Sequence, residues 1–258
     1  MGRPLSTAAR IWAAVAVVLL LVHLTAEATG AQDLSTVSQW TLMPALAAVV
    51  LTATRRPRSR LVTWVVVALG FSWLGDLMPS LVADDLSFLV MVGFFLLAQV
   101  AYVVAFAPSV RTSVVHRRRL LVLPYLAALG TLVALCAPHA GSLLVPVCVY
   151  GVTLTAMAVL ATGLGRVAAA GGAIFLVSDA LIALEAFVPS WDLAGQGFWV
   201  MLTYTVGQGL LAAAVLSRDA AERRAAEQQL ARGDVQKPAT GGHAAVGERP
   251  VGPTAPRR

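Results

Sequence analysis

The amino-acid sequence predicts an all-α protein, a polytopic membrane helix bundle of eight transmembrane helices with both termini in the cytoplasm. Hydrophobic residues make up 58% of the 258-residue chain and charged residues only 12%, about half of their share in a soluble domain. The charges are clustered and leave charge-poor stretches of roughly 20 residues, the length of a membrane-crossing helix. These stretches also lack the recurring charged face of helices in soluble all-α proteins.

The charge-poor stretches give eight predicted spans, at residues 11–29, 37–54, 61–79, 86–107, 119–137, 142–162, 167–188 and 196–216. If the N-terminus lies in the cytoplasm, all 19 Lys and Arg residues fall on cytoplasmic segments, whereas the opposite connectors carry only acidic charge. Those acidic residues are Asp33, Asp84, Asp85 and Asp192. A wrong number of spans would break the alternation, so the positive-inside rule favours eight. It also explains the net charge of +6 without a nucleic-acid partner.

The two ends of the chain carry further signals. Arg3, Arg10, the apolar stretch 11–22 and Ala26-Glu27-Ala28 also fit a cleaved signal peptide, which would leave seven spans. The domain organisation predicted is an eight-span membrane domain over residues 1–216 and a cytoplasmic tail over 217–258. We expect the tail to be disordered after a short polar helix, because residues 233–258 lack large apolar side chains.

Acidic residues inside the later spans are the sharpest functional clue, because an intramembrane charge is costly unless it is paired or neutralised. Glu185 lies near the outer end of its span, so we interpret it as reaching the interface. Asp76 follows Arg60 by roughly 24 Å of helix, and Asp179 follows Arg166 by roughly 20 Å. Both spans run outward, so the two aspartates are predicted at similar depth in the outer half of the bilayer.

Other polar residues can join this layer and bind a substrate. The candidates are Gln39, Gln99, Tyr102, Tyr150, Ser178, Tyr204 and Gln208. Three pairs of polar residues share a helix face by their spacing, and Ser178 directly precedes Asp179. Interhelical hydrogen bonding without chemistry is the alternative interpretation of the glutamines and tyrosines.

Several site types find no support in the sequence. It has no G-x-S-x-G, H-E-x-x-H or G-x-x-x-x-G-K-[ST] motif, and its four histidines are scattered. Cys136 and Cys148 could form a disulfide or remain two buried thiols. We therefore expect neither a metal nor a cofactor.

Four segments together resemble the lysoplasmalogenase-like (YhhN-like) family of integral membrane proteins. They are Gly75-Asp76, "FFLLAQVAYVVAF" at 94–106, "GAIFLVSDALIA" at 172–183 and "TYTVGQGLLAAAVL" at 203–216. The resemblance implies hydrolysis of the vinyl ether bond of lysoplasmalogens to a fatty aldehyde and a glycerophospho-base, with Asp76 and Asp179 at the family's acidic positions. Members often carry Lys-Pro where this chain has Gln39-Trp40, and His where it has Gln99.

A pair of buried carboxyl groups suits this chemistry. Vinyl ether hydrolysis needs an acid that protonates carbon and a carboxylate that stabilises the resulting cation, as paired carboxyl groups do in glycosidases. The predicted function is thus an aspartate-dependent hydrolase in a bacterial plasma membrane, with an ether lipid or lysophospholipid as its substrate. A small-molecule or proton-coupled transporter and a purely structural membrane protein are the alternatives. The headgroup and the oligomeric state stay open.

Overall fold

The computed structural model describes residues 5–235, which are almost entirely helical and contain no strand. The eight long helices, here numbered α1 to α8, are Thr7–Thr29, Gln32–Ala53, Arg60–Leu77, Asp84–Phe106, Leu123–Ala140, Leu144–Ala161, Arg166–Phe187 and Gln196–Val235. Short 3-10 segments and one helical turn, Val114–Arg117, connect some of them. The all-helical fold class is confirmed.

Seven stretches of the described chain are long and apolar enough to cross a membrane, which makes this an integral membrane protein. One of the seven, Arg119–Leu164, contains both α5 and α6 and the turn at Gly141–Leu143 between them. α5 and α6 contact each other. The count of eight crossings and the cytoplasmic location of both termini stay predictions.

The first two helices form a tight pair because of the turn between them. Gly30 adopts a left-handed backbone conformation, with φ of 72°, and its N–H caps the last carbonyls of α1. The chain therefore reverses within two residues and α2 begins at Gln32. His23 of α1 is fully buried, with Nδ1 at 3.1 Å from the Ser35 carbonyl oxygen and 3.0 Å from Ser38 Oγ on α2. This contact joins α1 firmly to the rest of the bundle.

The main apolar core is shared by α2, α3, α4, α6, α7 and α8. α7 and α8 cross with their backbones in contact, at Gly171 and Gly207. A Cβ atom added to Gly171 would lie 2.9 Å from the Gly207 carbonyl oxygen, and one added to Gly207 would lie 3.0 Å from the Gly171 carbonyl oxygen. Small residues permit this approach, which strengthens helix packing in a membrane.

The last helix continues beyond the predicted span. α8 runs to Val235, whereas hydropathy predicts a span end at 216. The chain divides into two units, Met1–Ala221 and Glu222–Arg258. The first unit holds every feature of the site below. Most of the tail predicted to be disordered, from residue 236 onward, lies outside the described residues.

Candidate functional site

A cavity of about 480 Å³ lies at the end of the bundle where α1 meets α2, α3 meets α4, and α7 meets α8. Asp76, in the last turn of α3, and Asp179, in the second half of α7, both line it. Gln39, Ser178 and Tyr204, three of the predicted binding residues, also line it. Two carboxyl groups from separate helices thus share one space.

Asp76 is 7% exposed and is held at both carboxyl oxygens. Gln39 Nε2 donates to Oδ1 at 3.3 Å, and the Tyr204 hydroxyl donates to Oδ2 at 3.1 Å. The Tyr204 ring packs edge-on against Phe95 and Phe175, with centroid distances of 5.6 and 5.5 Å. These contacts fix the tyrosine, and through it the carboxyl group.

Asp179 is 8% exposed and is held at only one oxygen. The Tyr150 hydroxyl, from α6, donates to Oδ2. Oδ1 has no hydrogen-bond partner among residues 5–235, although the residue lines the cavity. The preceding Ser178 donates from Oγ to the Val200 carbonyl oxygen at 3.0 Å, which ties this part of α7 to α8.

Four predicted binding residues do not line the cavity: Tyr150, whose hydroxyl donates to Asp179, and Tyr102, Gln208 and Gln99. The Tyr102 hydroxyl donates to Gln208 Oε1, and Gln208 Nε2 donates to Ser72 Oγ at 3.0 Å. Gln99 is also fully buried beside Tyr150, but neither atom of its amide makes a hydrogen bond of ordinary geometry within residues 5–235. Ser72, Gln99 and Gln208 each sit about one helical turn deeper than a cavity-lining residue of the same helix. They form a packed polar layer beneath the cavity, so hydrogen bonding within the bundle is the better interpretation of Tyr102 and Gln208.

Two acidic residues of the cavity were not predicted. Glu27, near the end of α1, accepts a hydrogen bond from Ser35 Oγ and lies directly against Gly197, where any side chain would collide with its carboxyl group. The sequence interpretation treated Glu27 only as part of a signal-peptide motif. Glu185 is exposed as predicted, but it also lines the cavity. Their position at span ends, on the same side as Asp76 and Asp179, was the available signal.

Apart from the Tyr204 hydroxyl, the ionisable side chains that line the cavity are all acidic within the described part of the chain. Four carboxyl groups line it, and the described residues that line it include no Lys, Arg or His. Such a surface attracts cationic groups and repels phosphate. The described residues contain no cluster of three His, Cys, Asp or Glu side chains arranged to hold a metal ion.

Comparison with known proteins identifies the family. The sequence model of the YhhN family matches residues 34–215, well over half of the chain, from α2 into α8. No curated protein and no solved structure matches the chain. The match includes Asp76 and Asp179 and leaves Glu27 outside it. The chain therefore belongs to the YhhN family.

Proposed function

We propose that this protein hydrolyses the vinyl ether bond of lysoplasmalogen-type lipids. The observation that carries the proposal is the pair Asp76 and Asp179, which line one cavity and are themselves largely buried. Membership of the YhhN family, which is linked to lysoplasmalogenase-type membrane proteins, supports it. We infer that the enzyme acts in a bacterial plasma membrane.

The reaction consumes one water. A carboxylic acid gives its proton to the β-carbon of the vinyl ether, which leaves an oxocarbenium ion at the ether carbon. Water adds to that carbon and loses a proton to a carboxylate, giving a hemiacetal. The hemiacetal collapses to a fatty aldehyde and the glycerol hydroxyl of the glycerophospho-base. Two carboxyl groups are sufficient for these proton transfers, by the logic that operates in glycosidases.

Hydrogen bonding suggests how the two aspartates divide the work. Asp76 accepts hydrogen bonds at both oxygens, which suits an ionised group that stabilises the oxocarbenium ion. Asp179 has one oxygen without a partner among the described residues, which suits the proton donor. We therefore expect Asp179→Asn to be the more severe variant. A greater loss in Asp76→Asn would reverse the two roles.

The acidic lining constrains how the headgroup binds. A lysophospholipid phosphate would find no basic side chain among the lining residues, so we infer that it stays at the mouth of the cavity. An amine headgroup is complementary to Glu27 and Glu185, and Trp40, which also lines the cavity, offers an aromatic face to a cation. The preferred substrate is therefore a lipid with an amine headgroup.

The test is aldehyde release by purified protein in lipid nanodiscs, supplied with lysoplasmenylethanolamine. Replacing either aspartate with asparagine is expected to reduce the rate by about 100- to 10,000-fold, the usual contribution of general acid–base catalysis. Asp192→Asn, at an exposed position away from the cavity, is the matched control and should leave the rate unchanged. In D2O the aldehyde should carry one deuterium on the carbon next to its carbonyl.

Full activity in both cavity variants would refute the mechanism. If the wild type releases no aldehyde, the vinyl ether substrate is wrong. Proton-coupled uptake into liposomes without aldehyde release would favour the transporter alternative instead.

A further inference from the structure

A second, apolar chamber adjoins the polar cavity. It has a volume of about 40 Å³ and lies between α4, α6 and α7. Eight of its ten lining residues are apolar, and the two polar ones are Tyr150 and Asp179. Protein interiors contain few voids, so an apolar space that borders an intramembrane carboxyl group needs an explanation.

The chamber and the polar cavity share a wall. Five residues line both spaces: Phe88, Met91, Phe95, Asp179 and Ile182. Asp179 is the one ionisable residue among the five, so it sits at the junction between a polar and an apolar space. This arrangement matches an amphiphile, whose polar part and hydrocarbon part meet at the bond to be cleaved.

The walls of the chamber are well defined. Phe88 and Phe187 pack edge to face with centroids 5.5 Å apart at the end nearest the connectors. On the α5 side, Cys136 Sγ lies 3.6 Å from the Ala183 carbonyl oxygen as a weak donor. Ala183 is the smallest residue of the lining. The free space therefore depends on a short side chain at this position.

Another apolar groove is less suitable. It lies between α1, α2 and α3 with a volume of about 370 Å³, and it meets the polar cavity at Trp40. Neither Asp76 nor Asp179 lines it. A chain placed there would not bring its first carbons to the aspartate pair.

We propose that the apolar chamber binds the first carbons of the substrate's hydrocarbon chain, and that Ala183 leaves room for them. This inference rests on the proposed function for the identity of the lipid. The position of the chamber indicates how that lipid is oriented. The chain points between α4, α6 and α7, the headgroup points toward Glu27, and the vinyl ether lies beside Asp179. Binding of the chain thereby aligns the β-carbon with the proton donor.

The experiment measures binding rather than turnover, so that it does not depend on the reaction. The probe is 1-O-hexadecyl-glycerophosphoethanolamine, a saturated ether that lacks the reactive double bond. Its affinity is compared for wild type, Ala183→Leu and Ala170→Leu in nanodiscs. Ala170 lies on the same helix with an exposed side chain, so it receives the same substitution outside the chamber.

Ala183→Leu should weaken binding of the ether lipid tenfold or more, about the cost of losing two buried methylene groups. Ala170→Leu should stay within about twofold of wild type. Val147→Phe, on the α6 wall, should repeat the loss and serves if Ala183→Leu does not fold. The affinity for chain-free glycerophosphoethanolamine, which lacks the hydrocarbon that would enter the chamber, should be the same in all folded variants.

Three results would overturn the inference: no binding by the wild type, wild-type affinity in the chamber variants, or an equal loss in Ala170→Leu. The expected binding pattern without aldehyde release from a vinyl ether lipid would remove the proposed reaction and leave the chamber as a chain-binding site.

Discussion

Removing a single hydroxyl tests how strongly Tyr204 supports Asp76. The Tyr204→Phe variant loses the 3.1 Å hydrogen bond to Asp76 Oδ2, and it keeps the ring that packs on Phe95 and Phe175. A hydrogen bond to a charged group contributes about 1.5–3 kcal/mol. If the carboxylate needs this donor to stabilise the oxocarbenium ion, the rate should fall by roughly 10- to 150-fold. The readout is kcat/KM for aldehyde release, with thermal melting to monitor the fold.

Tyr102→Phe is the control for this prediction. It loses an equally buried hydroxyl, but that hydroxyl donates to Gln208 beneath the cavity. We expect a lower melting temperature and little change in the rate of the folded protein. The reasoning fails if Tyr204→Phe keeps its rate within twofold of wild type, or if folded Tyr102→Phe is impaired as severely.

Three further variants test the cavity and the packing around it. Glu27→Gln should raise KM for amine-headgroup lipids about two- to fivefold, because it removes a partly exposed ion pair. KM for lipids with an uncharged glycerol headgroup should not change. An equal change for both headgroups would contradict recognition of the headgroup charge. Gly207→Leu should lower the free energy of unfolding by about 1–3 kcal/mol, because its Cβ would press on the α7 backbone. Gly209→Leu is the control and should melt like wild type, because a Cβ there meets nothing within 4 Å. Gln99→Leu should raise stability by roughly 1–3 kcal/mol, because it removes a buried amide that makes no hydrogen bond of ordinary geometry among the described residues. A lower melting temperature in that variant would mean that the neighbouring Tyr150 hydroxyl, a water or a ligand holds the amide.

The helices were largely predictable because their signal is long and strong. Each predicted span corresponds to one long helix whose bounds differ by a few residues. The exception is the end of α8, where hydropathy marks where the apolar stretch ends and not where the helix ends. Residues after 216 are rich in Ala, Glu, Arg and Gln, which are strong helix formers, so the helix continues to Val235.

The common level of the two aspartates along their helices was predictable, but the surroundings of the other polar side chains were not. Counting residues from the arginines at the predicted cytoplasmic ends of the spans placed Asp76 and Asp179 at one level, and both line the same cavity. Their catalytic role stays a prediction. Spacing along a helix shows that two residues share a face, but it does not show what that face meets. Tyr102 and Gln208 therefore looked like pocket residues, although they bond to each other one layer deeper.

Glu27 was missed for a different reason. An acidic residue near the end of a span costs little, because it can reach water, so its presence draws no attention. Its importance depends on the turn at Gly30 and on the missing side chain at Gly197, which bring α1 and α8 together around it. Neither contact leaves a periodic pattern in the sequence.

The backbone contact at Gly171 and Gly207 has a consequence for how the proposed lipid substrate would reach the aspartates. Because α7 and α8 touch there without intervening side chains, separating or sliding them would lose that packing. For the proposed lipid substrate, we therefore expect an opening toward the bilayer to form between other helices. The α7–α8 pair would then form the fixed wall of the cavity, and movement of the other helices would control entry of the substrate.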